Sequence, residues 1–369
     1  MATYLITGGA GFIGRHLGAE LIAAGHRVRV LDSLVEQAHQ PQADLGFPFG
    51  TRFHEGDVRD ASALRQALEG VDGVFHLAAE VGVGQSMYEI ERYVSANDLG
   101  TAVLMQQLIG RPRMRVVVAS SMSVYGEGLY ATEDGTRCDG VARRLEHIRR
   151  GEWEPKGPHG ERLAPVPTDE TKQPDLASVY ALSKYVQEQL VRVVGAAYGI
   201  ETVALRLFNV FGPGQLLSNP YTGVLAIFAG RLLKGEPPLV FEDGLQRRDF
   251  VHVKDVARAF RLAMETPAAT GQILNIGSGR SYAVAEVARL LARAMGREDI
   301  RPDVLNRSRA GDIRHCFADI SRARHVLGFE PTLFLEDSVL DLVAWIVRQQ
   351  VNDRVPQAHR ELEDRGLVL

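Results

Sequence analysis

The 369-residue chain is long enough for one large domain or two interleaved domains around a substantial core. Its charge is nearly balanced, with 42 Lys and Arg against 46 Asp and Glu, so we expect neither nucleic acid nor a membrane surface as a partner. No apolar run is long enough to span a membrane, and the first strand begins too early to leave room for a signal peptide. The two cysteines, Cys138 and Cys316, support neither a disulfide framework nor a cysteine metal cluster. We therefore predict a cytoplasmic globular protein without a metal.

In the first half of the chain, short apolar runs alternate with helical stretches. This order is typical of a parallel sheet covered on both faces, so we predict an α/β fold built on a doubly wound sheet. The predicted strands are 4–7, 27–31, 51–55, 73–77, 115–120 and 202–207. The predicted helices are 11–24, 61–68, 95–109 and one that contains Tyr180.

From Phe211 onward the pattern becomes irregular, and prolines interrupt it repeatedly. We predict that 213–242 and 269–350 form a smaller C-terminal α/β lobe, which includes a helix at 284–295. The segment 351–369 is polar and unpatterned, so we expect it to be a frayed tail.

The other segments are assigned to the main domain. It comprises residues 1–212, and we expect 243–268 to return to its sheet through a strand at 250–253 and the helix that follows. Residues 127–175 form an insertion that is too long for an ordinary loop. Because this insertion follows the strand that ends near Ser121, we expect it to overhang the pocket there.

A glycine-rich turn joins the first strand to the first helix. Gly8, Gly11 and Gly14 allow the backbone to approach a pyrophosphate at the helix N-terminus, where free N–H groups favour anions. Such a turn can be purely structural, but here a strand precedes it and an amphipathic helix follows it. This context predicts that the main domain binds a dinucleotide.

Acidic residues end the second and third strands. Asp32 is placed to accept hydrogen bonds from an adenosine ribose and to repel a 2′-phosphate, which favours NAD over NADP. The alternative for Asp32 is an ordinary helix or turn cap. Asp57 and Val58 are placed for the adenine, and residues 77–79 offer room for the nicotinamide half.

Three side chains are candidates for the reactive chemistry. Tyr180 and Lys184 lie one turn apart on a helix, so the ammonium would favour the phenolate and make Tyr180 a general base. Lys184 would also reach the nicotinamide ribose, and Ser121 would hydrogen-bond the reacting oxygen. Alone, the pair could be a packed tyrosine and a solvated lysine, but the dinucleotide turn and Ser121 favour catalysis. This equipment suits hydride transfer between a nicotinamide and a carbinol.

Further motifs accompany these residues. They are Asn97-Asp-Leu-Gly-Thr101, Arg206-Leu-Phe-Asn-Val-Phe-Gly-Pro213, Arg248-Asp-Phe-Val-His-Val253 and Arg309-Ala-Gly-Asp312. With them, the chain from about Thr3 to Pro331 resembles the extended short-chain dehydrogenase/reductase superfamily, and within it the nucleotide-sugar epimerases and dehydratases. The resemblance implies a Rossmann fold and NAD as cofactor. The residues expected to bind it are Gly8, Gly11, Phe12, Ile13, Gly14, Asp32, Asp57, Val58, Leu77, Ala78, Ala79, Asn97, Tyr180 and Lys184.

The resemblance also implies a nucleotide-diphosphate sugar as substrate. Asn209 would contact it, while Arg248, Arg309 and Asp312 would hold its diphosphate and ribose. Guanidinium groups suit this role because they make forked, charged contacts to phosphate; without the family pattern, each arginine would be an ordinary surface charge. The expected substrate residues are Ser121, Met122, Ser123, Asn209, Arg248, Arg309 and Asp312.

The two residues after Ser121 bear on the reaction. Family members that eliminate water across C5–C6 typically carry an Asp-Glu pair there, whereas this chain has Met122 and Ser123. We therefore predict an NDP-hexose 4-epimerase, in which Tyr180 deprotonates the 4-hydroxyl and hydride passes to NAD⁺. The 4-keto sugar then turns, and hydride returns to its other face. The alternatives are a 4-ketoreductase or decarboxylase of the same superfamily, and a non-catalytic dinucleotide sensor.

The insertion is similar to that of dTDP-L-rhamnose 4-epimerase-type members. Such members carry a cysteine pair where this chain has Gly157 and His159, so a metal site is not supported. The insertion also contains four arginines on a predicted helical piece at 141–150, namely Arg143, Arg144, Arg149 and Arg150. They could reach acidic substrate groups, but we expect a solvated helix face.

By analogy with the family we expect a homodimer. Helices 95–109 and 177–197 would pack against their symmetry mates through apolar stripes. The alternative is that these stripes face the sheet.

Overall fold

Strands and helices alternate through most of the computed structural model, which describes residues 1–39, 47, 50–111, 113–215, 223–309, 311–349 and 355–368. The strands are β1 Thr3–Thr7, β2 Arg27–Asp32, β3 Arg52–Glu55, β4 Gly73–His76, β5 Arg115–Ser121, β6 Leu129–Ala131, β7 Arg137–Cys138, β8 Ala164–Val166, β9 Glu201–Leu207, β10 Asn209–Phe211, β11 Leu239–Val240, β12 Arg247–Arg248, β13 Phe250–His252, β14 Ile273–Ile276, β15 Tyr282–Ala283, β16 Asp303–Val304 and β17 His315–Cys316. The α-helices are α1 Phe12–Ala23, α2 Ala61–Ala67, α3 Val83–Ser86, α4 Ile90–Tyr93, α5 Gly100–Leu108, α6 Leu145–Ile148, α7 Val179–Tyr198, α8 Val224–Leu233, α9 Val253–Glu265, α10 Val284–Ala294, α11 Ser321–Leu327, α12 Leu335–Ile346 and α13 Val355–Asp364. A π-helical stretch, Val94–Leu99, runs directly into α5.

Seven strands form one parallel sheet in the order β14-β9-β5-β4-β1-β2-β3. The predicted doubly wound α/β fold is therefore confirmed. The strand order reverses between β1 and β4, and ligands of such sheets bind outside the carboxyl ends of the strands at that switch point. Thr7, the last residue of β1, lies beside His76, the last residue of β4.

Apolar side chains cover both faces of this sheet. On one face, α1, α9 and α11 contribute Leu17, Phe260 and Ala323 to a single buried cluster. On the other face, α2, α5 and α7 contribute Leu64, Leu104 and Val191 to a second cluster. Because the sheet is covered twice, a central strand such as β5 is buried at every position, and its middle, residues 116–119, is an unbroken apolar run.

A smaller lobe has a core of its own, formed by α8, α10 and α12 around Phe228, Leu291 and Leu342. The chain crosses between the two lobes more often than the sequence predicts. We assigned 269–350 to the smaller lobe, but β14 is the edge strand of the main sheet and α11 packs beside it. The predicted return of 250–253 to the main sheet is also wrong, because β13 pairs with β10 in a separate two-stranded sheet. The following helix, α9, does pack on α1 and the main core.

The insertion and the C-terminal segment both contain regular secondary structure. The insertion forms a three-stranded antiparallel sheet in the order β7-β6-β8, and only Leu145–Ile148 of its basic piece is helical. The C-terminal segment that we expected to fray contains α13; its residues 351–354 lie outside the described part of the chain, as does Ala310 of the Arg309 motif. In the part of the chain that the structure describes, no helix has the length and apolar character needed to cross a membrane.

Helix α7 is fixed to the sheet by a buried ion pair. Glu188, on α7, is fully buried and accepts two hydrogen bonds from the guanidinium of Arg206 on β9, at 3.0 and 2.7 Å. It also accepts a hydrogen bond from Ser120 Oγ on β5, at 2.8 Å. The Arg206 guanidinium lies 4.7 Å from the ring centroid of Tyr125. One carboxylate therefore ties α7 to two adjacent strands.

We expect Glu188→Ala to destabilise the protein strongly, because it leaves the Arg206 charge buried without a partner. Loss of one member of a buried pair costs about 3–5 kcal/mol. The free energy of unfolding from urea titrations measures this. The double variant Glu188→Leu/Arg206→Met is the matched control, and it should recover much of the loss. A single variant as stable as the wild type would show that this pair does not hold the helix.

Candidate functional site

A cavity of about 660 Å³ opens where the central strands end, and it extends into the smaller lobe. It brings together residues that are far apart in the sequence. The predicted site residues that line it are Gly8, Gly11, Phe12, Ile13, Gly14, Asp32, Asp57, Val58, Leu77, Ala78, Ala79, Ser121, Met122, Ser123, Tyr180, Lys184, Asn209, Arg248, Arg309 and Asp312. Asn97 is buried behind this wall.

The glycines at the turn between β1 and α1 and in the first turn of α1 have no space for a side chain. Gly8 has φ +70°, and a Cβ added there would lie 2.7 Å from the backbone nitrogen of Ala78. A Cβ on Gly14 would lie 2.5 Å from Gly9 Cα. Such glycines keep the helix N-terminus close to the sheet and leave its N–H groups free for an anion. The turn thus fits the pyrophosphate of a dinucleotide.

Asp32 lies at the end of β2 and is already hydrogen-bonded. Its carboxylate accepts from the backbone N–H groups of Ala10, at 3.0 Å, and Leu34, at 2.9 Å. It also lies 3.2 Å from Nε2 of His39, a cavity-lining residue that the sequence did not single out. Asp32 therefore caps the glycine turn, as the alternative for it held, and it also faces the cavity.

Asp57 makes a forked contact with Arg59 at the same end of the cavity. The guanidinium donates to both carboxylate oxygens, at 2.9 and 2.6 Å. This hydrogen bonding lowers the pKa of Asp57 below its usual value against the opposing effect of burial. Asp57 is thus held ionised beside Val58.

Ser121 is the hydrogen-bonding centre of the reactive group. Its Oγ accepts from the Ser123 hydroxyl, at 2.8 Å, and from the Ser123 backbone N–H, at 3.2 Å. Burial raises the pKa of the Tyr180 phenol, and a hydrogen bond with Ser121 opposes this rise. Because Ser123 supplies both of those donors, the Ser121 hydroxyl hydrogen is available for Tyr180 or for a substrate oxygen.

Lys184 lies deeper than Tyr180, among polar groups of the core. Its ammonium donates to Gln187 Oε1 at 2.6 Å. Burial lowers the pKa of Lys184 to about 7, while the carboxylates of Glu188 and Asp98 pull it upward. Burial likewise raises the pKa of Asp98 to about 6, and Lys184 opposes that rise.

The Asn97–Thr101 motif supports this polar core. Asn97 accepts from the Glu80 backbone N–H, at 2.7 Å, and donates to Ser183 on α7, at 2.9 Å. Thr101 accepts from Gln187, at 2.9 Å, and contacts His76 Nε2. The role that the structure gives Asn97 is therefore to position the cavity loop after β4 against α7.

In the smaller lobe, the predicted phosphate ligands are paired with protein groups. Arg309 makes a forked ion pair with Asp312, at 2.9 and 3.0 Å, and its guanidinium lies over the Phe241 ring. Arg248 donates to the backbone carbonyls of Ile313 and Arg314. Both guanidinium groups therefore have fixed orientations, which suits forked recognition of a phosphate.

Two amide oxygens on this wall lack a hydrogen-bond partner within the described part of the chain. Asn209 Oδ1 and Gln246 Oε1 are buried and accept no hydrogen bond from the described residues. Buried polar atoms are normally satisfied, so both are candidates to accept from a ligand. Gln246 was missed by sequence reasoning, although it stands just before the Arg248 motif.

The insertion reaches this wall through buried charges. Arg143 donates to Glu127 at 2.7 Å, to Glu242 at 2.5 Å and to the Asp312 carbonyl at 2.6 Å. The fully buried Arg314 joins the same network through Glu242, at 2.9 Å. The expectation of a solvated face is therefore wrong for Arg143. Its partners lie at distant sequence positions, so periodicity could not reveal them.

The chain is similar to known proteins over most of its length. The profile of the NAD dependent epimerase/dehydratase family matches residues 4–144 and 153–277. A dTDP-L-rhamnose 4-epimerase of Burkholderia thailandensis is 34% identical over 355 residues, covering 94% of this chain and 95% of the relative. A UDP-N-acetyl-alpha-D-glucosaminuronate decarboxylase of Bacillus cytotoxicus is 27% identical, covering 95% and 98%. The crystal structure of the Thermotoga maritima UDP-glucose 4-epimerase with UDP-glucose matches with a TM-score of 0.76 and 30% identity, covering 94% of this chain and 99% of that one.

The buried Lys184 should make stability depend on pH. A lysine in an unfolded chain titrates near 10.4, whereas burial holds the pKa of Lys184 at about 7 in the folded protein. Between these values the unfolded chain binds a proton that the folded protein lacks, so stability rises with pH. The free energy of unfolding of the wild type minus that of Lys184→Met should therefore increase by roughly 1.4 kcal/mol per pH unit.

Chemical denaturation at several pH values between about 7 and 10 provides this difference. The exposed Lys234, substituted in the same way, is the control and should give a flat difference. A flat difference for Lys184 as well would mean that its ammonium is not destabilised by burial.

Proposed function

The chain belongs to the NAD dependent epimerase/dehydratase family, and we propose that it is an NDP-hexose 4-epimerase in which Tyr180, Ser121 and Lys184 serve the redox step. The observation that carries the proposal is that Tyr180 and Ser121 line the same cavity as the glycine turn, with Lys184 one helical turn from Tyr180. A base and a hydroxyl donor beside a dinucleotide are what reversible oxidation of a sugar carbinol requires.

The reacting oxygen is held by two side chains. Tyr180 takes the proton of the 4-hydroxyl as the hydride leaves C4, and Ser121 donates a hydrogen bond to the same oxygen as it becomes a carbonyl. The protonated fraction of Lys184 stabilises the phenolate. After the sugar has turned in the cavity, Tyr180 returns the proton as hydride reaches the opposite face of C4.

The cofactor site fits NAD. NAD⁺ supplies the acceptor for the C4 hydride and its reduced form supplies the donor, so the net reaction consumes no cofactor. The glycine turn would hold the pyrophosphate, and Asp32 would accept from the adenosine ribose and disfavour a 2′-phosphate.

The nucleotide-diphosphate end of the substrate would lie against the smaller lobe. Arg248 and Arg309 offer guanidinium groups to the diphosphate, and Asp312 would turn from Arg309 to a ribose hydroxyl. Asn209 Oδ1, which has no partner among the described residues, would accept from the substrate. The relative from Burkholderia makes a dTDP-linked 6-deoxyhexose the first sugar to test.

Met122 and Ser123 favour epimerisation over dehydration. Elimination of water needs an acid and a base in the two positions after Ser121. Here the second position is a serine, and its hydroxyl donates a hydrogen bond to Ser121 Oγ at 2.8 Å. A decarboxylase is the second candidate, because one relative covering nearly the whole chain has that activity in its name. Both reactions begin by oxidation at C4, so the product distinguishes them.

A homodimer is also part of the proposal. Helix α7 and the helices that precede β5 bury Val191 and Leu104 toward the sheet but expose large apolar side chains on the other side. The exposed residues are Val94, Leu99, Ile109, Leu182, Val193 and Tyr198. An apolar patch of this kind suits packing against a second copy around a two-fold axis.

We propose the cytoplasm as the compartment. Cys138 and Cys316 are both free thiols, which suits a reducing environment.

We expect Tyr180→Phe to lower kcat by about 10²–10⁴, because loss of a general base typically costs that much. NMR of reactions with dTDP-, UDP- and GDP-hexoses, with NAD present, measures the interconversion of 4-epimers. NAD binding, measured by calorimetry, should be retained, since the glycine turn that would hold the pyrophosphate is unchanged. Unchanged turnover would exclude Tyr180 as the base. Carbon dioxide release by the wild type, or one reduced cofactor formed for each sugar converted, would exclude the epimerase.

The dimer is tested by light scattering. The wild type should have twice the mass of the 40.5 kDa chain, and Val193→Glu, which places a charge in the exposed patch, should shift it to the monomer. Leu340→Glu is the matched control, because Leu340 is equally exposed on α12. A monomeric wild type would rule the dimer out.

A further inference from the structure

The C-terminal segment 355–368 forms part of the cavity wall. Ala358 and Leu362, one turn apart on α13, are each only 6% exposed and line the cavity together with Leu367. Leu362 packs on α3: a Cβ added to Gly84 would lie 3.3 Å from its Cδ2. Helix α3 in turn contacts the start of α7, because Ser86 Oγ accepts from the Tyr180 backbone N–H at 3.0 Å. The apolar face of α13 thus lies on the side of the cavity next to the first turn of α7, which carries Tyr180.

The segment is attached to both lobes. On the main domain, Tyr88 donates to Glu361 at 3.0 Å, and the Arg365 guanidinium lies 4.2 Å from the Tyr88 ring centroid. On the smaller lobe, Arg307 pairs with Glu363 at 2.6 Å. Val368 forms an antiparallel β-bridge with Arg309. The segment therefore spans the cavity from the reactive side to the proposed phosphate ligand.

We propose that residues 355–368 close the sugar compartment, and that Leu362 helps to retain the oxidised sugar between the two hydride transfers. This inference rests on the proposed function. An epimerase must let the 4-keto sugar turn without letting it leave. An apolar wall is suited to this, because it excludes water and makes no directional hydrogen bond that would fix one orientation of the ring.

Release of the 4-keto sugar before the second hydride transfer would leave a measurable product. In the first half-reaction, the sugar loses the C4 hydride to NAD⁺ and the hydroxyl proton to Tyr180. If the ketone leaves before the second half-reaction, one molecule of 4-keto sugar is released for each cofactor left reduced. A protein with an intact compartment completes the second transfer instead.

The test compares Leu362→Ala with Leu340→Ala in the full-length protein loaded with NAD. Leu340 is 64% exposed on α12 and serves as the matched leucine truncation. With the best sugar substrate, Leu362→Ala should release about tenfold more 4-keto sugar per epimerisation event than the wild type, the size of effect expected when an apolar pocket loses methylene contacts. Reduced cofactor should accumulate in step, and Leu340→Ala should behave as the wild type.

A second measurement is independent of turnover. Hydrogen exchange of the 355–368 peptide should slow when the NDP-sugar is added to the Tyr180→Phe protein, since the ligand would contact the segment without being converted. Adding the Leu362→Ala substitution should weaken this protection. Circular dichroism and NAD affinity establish that each variant is folded.

The outcomes separate the two proposals. If the wild type epimerises a sugar, but Leu362→Ala releases no additional ketone and the segment gains no protection from ligand, this inference is wrong and the proposed function stands. If the wild type epimerises no sugar, the proposed function itself fails.

Discussion

The buried ion pair between Glu188 and Arg206 is the interaction on which the geometry of the site depends. Tyr180 and Lys184 lie on the same helix as Glu188, and Ser121 follows Ser120, which also donates to that carboxylate. Tyr180 and Ser121 come from separate elements, so bringing both to one cavity requires the helix to keep its place along two strands. A charged contact with three donors fixes that place more narrowly than apolar packing, which tolerates small shifts.

The two ends of the cavity use charge differently. At the dinucleotide end, backbone N–H groups at a helix N-terminus are the anion-binding feature, and they need only the absence of side chains at Gly8 and Gly14. At the other end, the cations are side chains held by carboxylates and carbonyls, as Arg309 is by Asp312. At the proposed site, a diphosphate would have to exchange with these partners. Because the guanidinium groups are already oriented, binding there costs little side-chain entropy.

Sequence reasoning predicted those parts of the site that depend on local pattern. The glycine turn, the Tyr180–Lys184 spacing and the strand ending near Ser121 are each specified within a few residues, and the structure brings them to one cavity. The exchange of segments between lobes was not predicted, because the pairing of β14 with β9 depends on tertiary contacts. The partners of Arg143 are equally non-local.

The C-terminal helix α13 was also not predicted from the sequence. Among its residues whose side chains are described, Ala358 and Leu362 are buried, and charged residues stand at 360, 361, 363 and 364. Its stability comes from contacts with Tyr88 and Arg307, which the local sequence does not encode. A short polar helix of this kind is hard to tell from a disordered tail by composition.

The placement of β14 has a consequence for how such a protein can diversify. The edge strand of the main sheet, β14, comes after α8 of the smaller lobe in the sequence. Neither lobe is therefore encoded by one continuous stretch of the gene. Recombination at a single point in the gene cannot exchange one whole lobe. A fragment of the chain that ends before β14 would lack the edge strand of the main sheet. New sugar preferences must then arise by point changes and by loops added within an unbroken frame, as the three-stranded insertion between β5 and α7 illustrates.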